Sequence, residues 1–168
     1  MSQTLERPDT STPAGKAAAW LIDFQDALRA RDVDRVAGMF ATQSFWRDLI
    51  AFTWNITTVE NPDGVADMLR ATLDTTDPTD FAFTEEPAEA DGVITGWLGF
   101  ETGVGRGSGL VRLKEEDGEL KAWTFLTALD ELKGHEENQD ERRPHGTEHG
   151  AFKAVSYTHL TLPTTERV

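Results

Sequence analysis

A chain of 168 residues with 38% hydrophobic and 27% charged side chains holds one ordinary globular domain with tails, large enough for a real core. Its 30 acidic and 16 basic residues leave a net charge of −14, which works against nucleic acid and anionic membranes as partners. With no cysteine, disulfides, thiol catalysis and thiolate metal sites are excluded, and no apolar run nears the ~18 residues of a membrane span. The first residues, MSQTLERPDTSTP, show no charged-then-apolar leader, so a cytoplasmic location is expected.

Residues 1–12 are polar and proline-containing and read as a loose arm. Thr12 as a cap and Pro13 at the first helical position predict a helix, with Trp20, Phe24, Ala27 and Leu28 on one face opposite Asp23, Asp26 and Arg29. Asp32 restarts the pattern as a second cap. Val33, Val36, Ala37 and Phe40 then form the stripe of a shorter helix ending before Thr42, and the two helices make a hairpin. Residues 44–59, SFWRDLIAFTWNITTV, are dense in aromatic and β-branched side chains and predict extended structure.

Asn61-Pro62 predicts a capped third helix whose inner stripe is Val65, Met68, Leu69, Thr72 and Leu73, stopping within residues 75–79. Phe81, Phe83 and Glu85 begin a strand that Pro87 interrupts, the mark of a sheet edge. Residues 92–132 then read as three β-rich runs, with glycine-bearing turn signals at residues 103–109 and at Asp117-Gly118: an antiparallel meander. In its last run Trp123, Phe125, Thr127 and Leu129 alternate with Leu120, Ala122, Thr124, Leu126 and Ala128, so both faces are apolar. Helices are expected on one side, a second domain or subunit on the other. The fold class that results is α+β, a curved antiparallel sheet wrapped as a cone around three helices, spanning residues 13–133 and open at one end as a pocket.

Residues 134–154 are charged and nearly free of apolar side chains, the profile of an interdomain linker. The closing residues 155–168 match neither linker nor core; they resemble translated adapter sequence, and the natural chain is expected to depart from this one near Lys153.

Most chemical motifs fail on context. Gly103, Gly105, Gly107 and Gly109 precede a strand-forming LVRL rather than a helix, so they are read as a hairpin turn and not a dinucleotide loop. Arg106 among them is a surface arginine or an anchor for substrate or a second domain. His135-Glu136 lacks the second histidine of a zinc motif, since position 139 is glutamine, and His145 and His149 lack a third ligand. Arg47 and Asp48 are more informative, because a charge in an apolar strand is costly unless paired. A structural ion pair with Arg112 or Glu101 is the preferred reading. The alternative makes Asp48 or Glu101 a pocket acid or base, in a pocket drawing on Arg47, Trp54, Trp97, Arg112 and Trp123 for a small hydrophobic ligand.

RDLIAFTWNITT, GVGRGSGLVRL, AWTFLTALDELKGHEE and RPHGTEHG resemble the N-terminal region of bacterial flavin-containing monooxygenase-type NAD(P)/FAD oxidoreductases, where a nuclear transport factor 2-like cone precedes the dinucleotide-binding body. The resemblance covers residues 20–152. It implies an accessory domain, not itself catalytic, that docks to a missing C-terminal flavin-binding domain or to a second copy as a homodimer. FAD and NAD(P)H are expected in the parent and no cofactor in this chain, which lacks the glycine-rich FAD turn. Polyketide cyclase-like or isomerase-like cones acting alone on a small molecule are the other expectation.

Overall fold

The computed structural model describes residues 8–136. Most of the N-terminal arm, the charged segment with His145 and His149, and the residues after Lys153 lie outside that range. Three helices and seven strands follow in the order α1 (Pro13–Arg29), α2 (Val33–Gly38), β1 (Phe40–Leu49), β2 (Ile56–Glu60), α3 (Asn61–Thr76), β3 (Thr79–Phe83), β4 (Ala88–Ala90), β5 (Val93–Glu101), β6 (Gly105–Glu116) and β7 (Glu119–Leu132). The strands form one curved, unclosed sheet ordered β2-β1-β7-β6-β5-β3, with β4 also on β5, and the helices pack on its inner face.

Local chemistry sets the helix starts. Thr12 accepts from the Gly15 amide and Asp32 from the Arg35 amide, each answering one of the amides that a helix N-terminus leaves unpaired. Asn61, expected as a cap, instead opens α3, and the preceding Glu60 makes no side-chain capping bond. Val65, Met68, Leu69 and Leu73 are buried as the stripe predicts, and Asp77 ends the helix in the left-handed conformation. The strand broken by Pro87 becomes two short edge strands, β3 and β4, both on β5.

Four expectations are corrected. Phe40 belongs to β1 and not to the second helix, because α2 stops at Gly38. The apolar segment 44–59 is not one strand: β1 and β2 pair antiparallel from Phe45↔Glu60 to Leu49↔Ile56 around a loop at residues 50–55. The sheet is not wholly antiparallel, since β1 runs parallel to β7. Finally, the glycine run is turn only at its start: the β5–β6 reversal occupies residues 102–104 and holds Gly103, whereas Gly105, Gly107 and Gly109 face inward from β6. A Cβ on Gly107 would meet the Ala128 carbonyl oxygen and, at 2.5 Å, the Phe100 ring, so these positions are glycine for close packing rather than for reversal.

Strict alternation in β7 also breaks. The register with β6 shifts between Arg112↔Thr124 and Leu113↔Ala122, leaving Trp123 as the extra residue of a bulge. Ala122 and Phe125 are therefore both buried, three residues apart, while Trp123 turns out beneath the Arg112 guanidinium, 5.3 Å from its ring. The interior is occupied by aromatic rings. Phe24 of α1 lies 5.0 Å from Trp20, 5.5 Å from Phe81, 5.4 Å from Phe125 and 6.2 Å from Trp46, centroid to centroid. The volume that a cone of this shape can leave for an internal ligand is filled by side chains.

Candidate functional site

Asp48 is completely buried at the β1 end of the core. Its Oδ1 accepts from Thr127 Oγ1 at 2.8 Å and from the Phe52 amide at 3.2 Å; its Oδ2 accepts from the Thr53 amide and Thr53 Oγ1, both at 2.8 Å. Thr127 Oγ1 in turn accepts from Trp46 Nε1 at 2.9 Å. No arginine takes part. The charge expected to need an ion pair is met by amide and hydroxyl donors, an arrangement that solvates a carboxylate without a counter-ion. Its structural effect falls on the loop at residues 50–55, where Ile50 at φ 61 and Trp54 at φ 55 occupy the left-handed region that costs a bulky side chain energy. The carboxylate holds the Phe52 and Thr53 amides and so fixes that loop.

Glu101, the other acid singled out from sequence, stands near the β5–β6 reversal. Its carboxylate is 2.8 Å from Lys133 Nζ and 3.6 Å from Arg106 Nε. The hydrogen bond and charge of Lys133, followed by the charge of Arg106, hold it below its usual range. Arg106 is also 2.8 Å from Glu131 and 3.2 Å from Glu136, whose hydrogen bonds raise its own affinity for the proton. Arg47 reaches Thr58 Oγ1 at 3.3 Å on the outer face. Trp97 is half exposed there, Arg112 stacks on Trp123, and Trp54 projects from the β1–β2 loop. Of these five residues the structure puts Arg112 and Trp123 in contact.

A different set converges. Between α1, α2 and the start of β7 lies an open cleft of about 410 Å³. Trp20, Ala19, Met39 and Leu120 give it an apolar lining. Lys16, Arg35 and Lys121 supply cations against the carboxylates of Asp23 and Glu119. The Ala122 amide donates to the Met39 carbonyl at 2.9 Å and ties the end of α2 to β7 at the cleft. Arg35 and Asp23 are 3.4 Å apart, Lys121 and Glu119 3.7 Å, long contacts between partly exposed groups. Lys16 enters no ion pair among the described residues.

Trp20 is 5% exposed, stacked on Phe24, and its buried Nε1 has no hydrogen-bond acceptor among the described residues. A buried indole N–H without a partner is uncommon and calls for a reason. The sequence held a signal for this site. Lys16, Ala19, Trp20 and Asp23 recur at helical spacing, an apolar centre between charged ends, and so form one stripe. A reading that assigns Trp20 only to the core passes over it.

Among the described residues no group of three histidine, aspartate or glutamate side chains is placed to hold a metal, and no helix is long and apolar enough to cross a membrane.

The fold has counterparts among solved structures. A ketosteroid isomerase-like protein from Erwinia carotovora atroseptica superposes with a TM-score of 0.55 at 13% identity, over 68% of this chain and 93% of that one. Aln2 from a Streptomyces species gives a TM-score of 0.58 at 15% identity, over 68% and 89%. A domain of unknown function with a cystatin-like fold from Nostoc punctiforme gives 0.58 at 13% identity, over 71% and 80%. At such identities the likeness establishes the fold, the nuclear transport factor 2-like or cystatin-like cone, and no activity. No protein-family model matches the chain, and no curated protein matches it.

Proposed function

We propose that the chain is a small-molecule-binding cone, of the isomerase-like or cyclase-like kind, and that its ligand sits in the cleft between α1, α2 and β7. The observation that carries this is the cleft itself: an apolar patch of Ala19, Trp20, Met39 and Leu120 flanked by charged side chains, opening beside a core that aromatic rings have filled. A ketosteroid isomerase-like protein shares this fold, which supports the isomerase-like reading over the accessory-domain one. Binding is the supported step. Asp48 has its oxygens taken by internal donors and Glu101 is paired with Lys133, so neither carboxylate stands ready as a base at the cleft. A fragment screen followed by backbone amide NMR tests the reading. Hits are expected to move the amides of Ala19, Met39 and Leu120; no hits, or hits clustering elsewhere on the cone, would remove it.

A second reading rests on the outer sheet face, where Phe45 and Trp97 remain exposed. In it the chain is an accessory domain of a flavin-dependent oxidoreductase, docked through that face to a flavin-binding domain carrying FAD and NAD(P)H, or to a second copy. The neighbours in structure give this reading less support than the first. Sedimentation at increasing concentration separates the two: self-association lost on Trp97→Ser supports docking through this face, and a monomer at every concentration counts against it.

A further inference from the structure

The sheet ends in two edges that the chain treats differently. At one, β3 and β4 pair with β5, and their far side is blunted. The side-chain amide of Gln25 donates to the Phe81 carbonyl at 2.8 Å and accepts from the Phe81 amide at 3.0 Å, as a further strand would. Pro87 interrupts this edge, and Glu85, Glu86 and Glu89 charge it. Such devices keep an edge from pairing with another chain. At the other edge β2 has none of them. From Ile56 to Val59 it holds no charge, no proline and no bulge, and among the described residues nothing pairs with its far side. Ile56, 67% exposed, and Thr58 stand open there. The Ile50 amide donates to the Asn55 carbonyl, so residues 50 and 55 are a hydrogen-bonded pair of the β1–β2 ladder. Alternation along an antiparallel ladder then turns the backbone groups of Thr57 and Val59 toward β1, and those of Ile56, Thr58 and Glu60 outward.

We infer that β2 is a self-pairing edge: two copies of the chain join antiparallel through Ile56–Glu60 about a twofold axis at Thr58, and their two sheets become one. The outward groups are symmetric about Thr58, so a second β2 meets the first with Thr58 on Thr58 and Ile56 on Glu60. Every outward amide then finds a carbonyl, and paired side chains share a face. Two leftover charges fit the same arrangement. Arg47 lies opposite Thr58 and donates to its hydroxyl at 3.3 Å, and Glu60 makes no side-chain capping bond. Neither enters an ion pair among the described residues. In the paired strands the diagonal from Thr58 to Glu60 of the partner subunit is about 7–8 Å, within reach of an arginine that already lies over Thr58. An uncharged strand flanked by two such pairs lets two copies of a chain with net charge −14 approach without acid facing acid. The contact is independent of the cleft and of Trp97, which stands on β5, four strands across the sheet.

Sedimentation of the full chain over a concentration series, with amide hydrogen exchange followed by NMR, tests this. A dimer is expected. In it the Thr58 amide exchanges slowly and speeds up on dilution, whereas the Thr57 and Val59 amides, bonded to β1, stay protected at every concentration. Thr58→Pro removes an outward amide and no bond to β1, a place where an edge strand accepts proline. It should abolish the dimer and leave the melting temperature as in the wild-type chain, both measured at a dilution where the wild type is monomeric. Thr58→Lys, which sets two lysines against each other across the axis, should abolish it too without touching the backbone. Arg47→Glu and Glu60→Lys are each expected to weaken the dimer, and the double variant to restore it. A monomer at every concentration, a dimer whose Thr58 amide exchanges fast, or a dimer lost on Trp97→Ser and kept in both Thr58 variants overturns the inference.

Discussion

Trp46 and Trp20 pack into the same aromatic cluster, both against Phe24 and Phe125, yet their indole nitrogens are treated in opposite ways. Trp46 Nε1 donates to Thr127, which donates to Asp48, whose remaining capacity is taken by the Phe52 and Thr53 amides. Trp20 Nε1 finds no acceptor among the described residues. The first end of the core is a closed polar network that fixes a loop; the second has a buried, unanswered donor behind the wall of an open cleft. The lesson concerns buried polar atoms in general: a satisfied group holds its partners in place, whereas a buried donor without an acceptor leaves its desolvation cost unanswered.

The contrast can be broken most severely at the closed end. Asp48→Ala leaves two amides and two hydroxyls without their acceptor in a buried site, and a loss of about 3 kcal/mol or more is expected in urea unfolding. That is a large part of the roughly 5–15 kcal/mol typical of a domain. Loss of less than about 1 kcal/mol would mean the network is not the anchor described. Gly107→Ala strikes the same core from the sheet, since its methyl group meets a backbone carbonyl that cannot step aside; about 2 kcal/mol is expected, read as a lowered melting temperature. The paired substitutions Trp46→Phe and Trp20→Phe sharpen the comparison. Trp46→Phe strips a donor from Thr127 and should cost about 1–2 kcal/mol, whereas Trp20→Phe removes a donor that has no partner and should cost clearly less. Equal costs from matched denaturation curves would erase the distinction.

The smallest expected effect is in pH. Glu101, held low by Lys133, and Glu116, held low by the backbone amide and then the hydroxyl of Thr42, both lie below the usual 4.5 in the folded chain. A carboxyl whose folded value is depressed stabilises the fold fully above its unfolded value and loses that contribution as pH falls through the folded one. Stability should thus be flat in pH down to about 4.5 and decline below it, with Glu116→Gln flattening part of the decline. A melting temperature that rises on acidification through this window contradicts the assignment.

Much of the fold was legible in local chemistry. Thr12-Pro13 and Asp32 start helices because their side chains answer unpaired amides, and the stripe of Val65, Met68, Leu69 and Leu73 states its own burial. What could not be read is set by tertiary pairing. The bulge at Trp123 depends on β6 across from it, and the inward glycines of β6 depend on Phe100 and Leu98 coming close. The candidate site was harder still. Asp48 was recognisable as a costly charge, but its donors come from a loop that only the β1–β2 hairpin creates, and the cleft joins α1 to residues of β7 about a hundred positions later. From residue 137 onward the charged segment, with His145 and His149, lies outside the described residues.

One spectrum tests the difference between the two ends directly. Five tryptophans give five indole N–H signals, and single Trp→Phe variants assign those of Trp20 and Trp46. On titration with a fragment that binds in the cleft, the Trp20 signal should move as the space beside its ring is filled, while the Trp46 signal stays where it is. Movement of Trp46 with Trp20 unchanged would place the ligand at the closed end and contradict the cleft as the site.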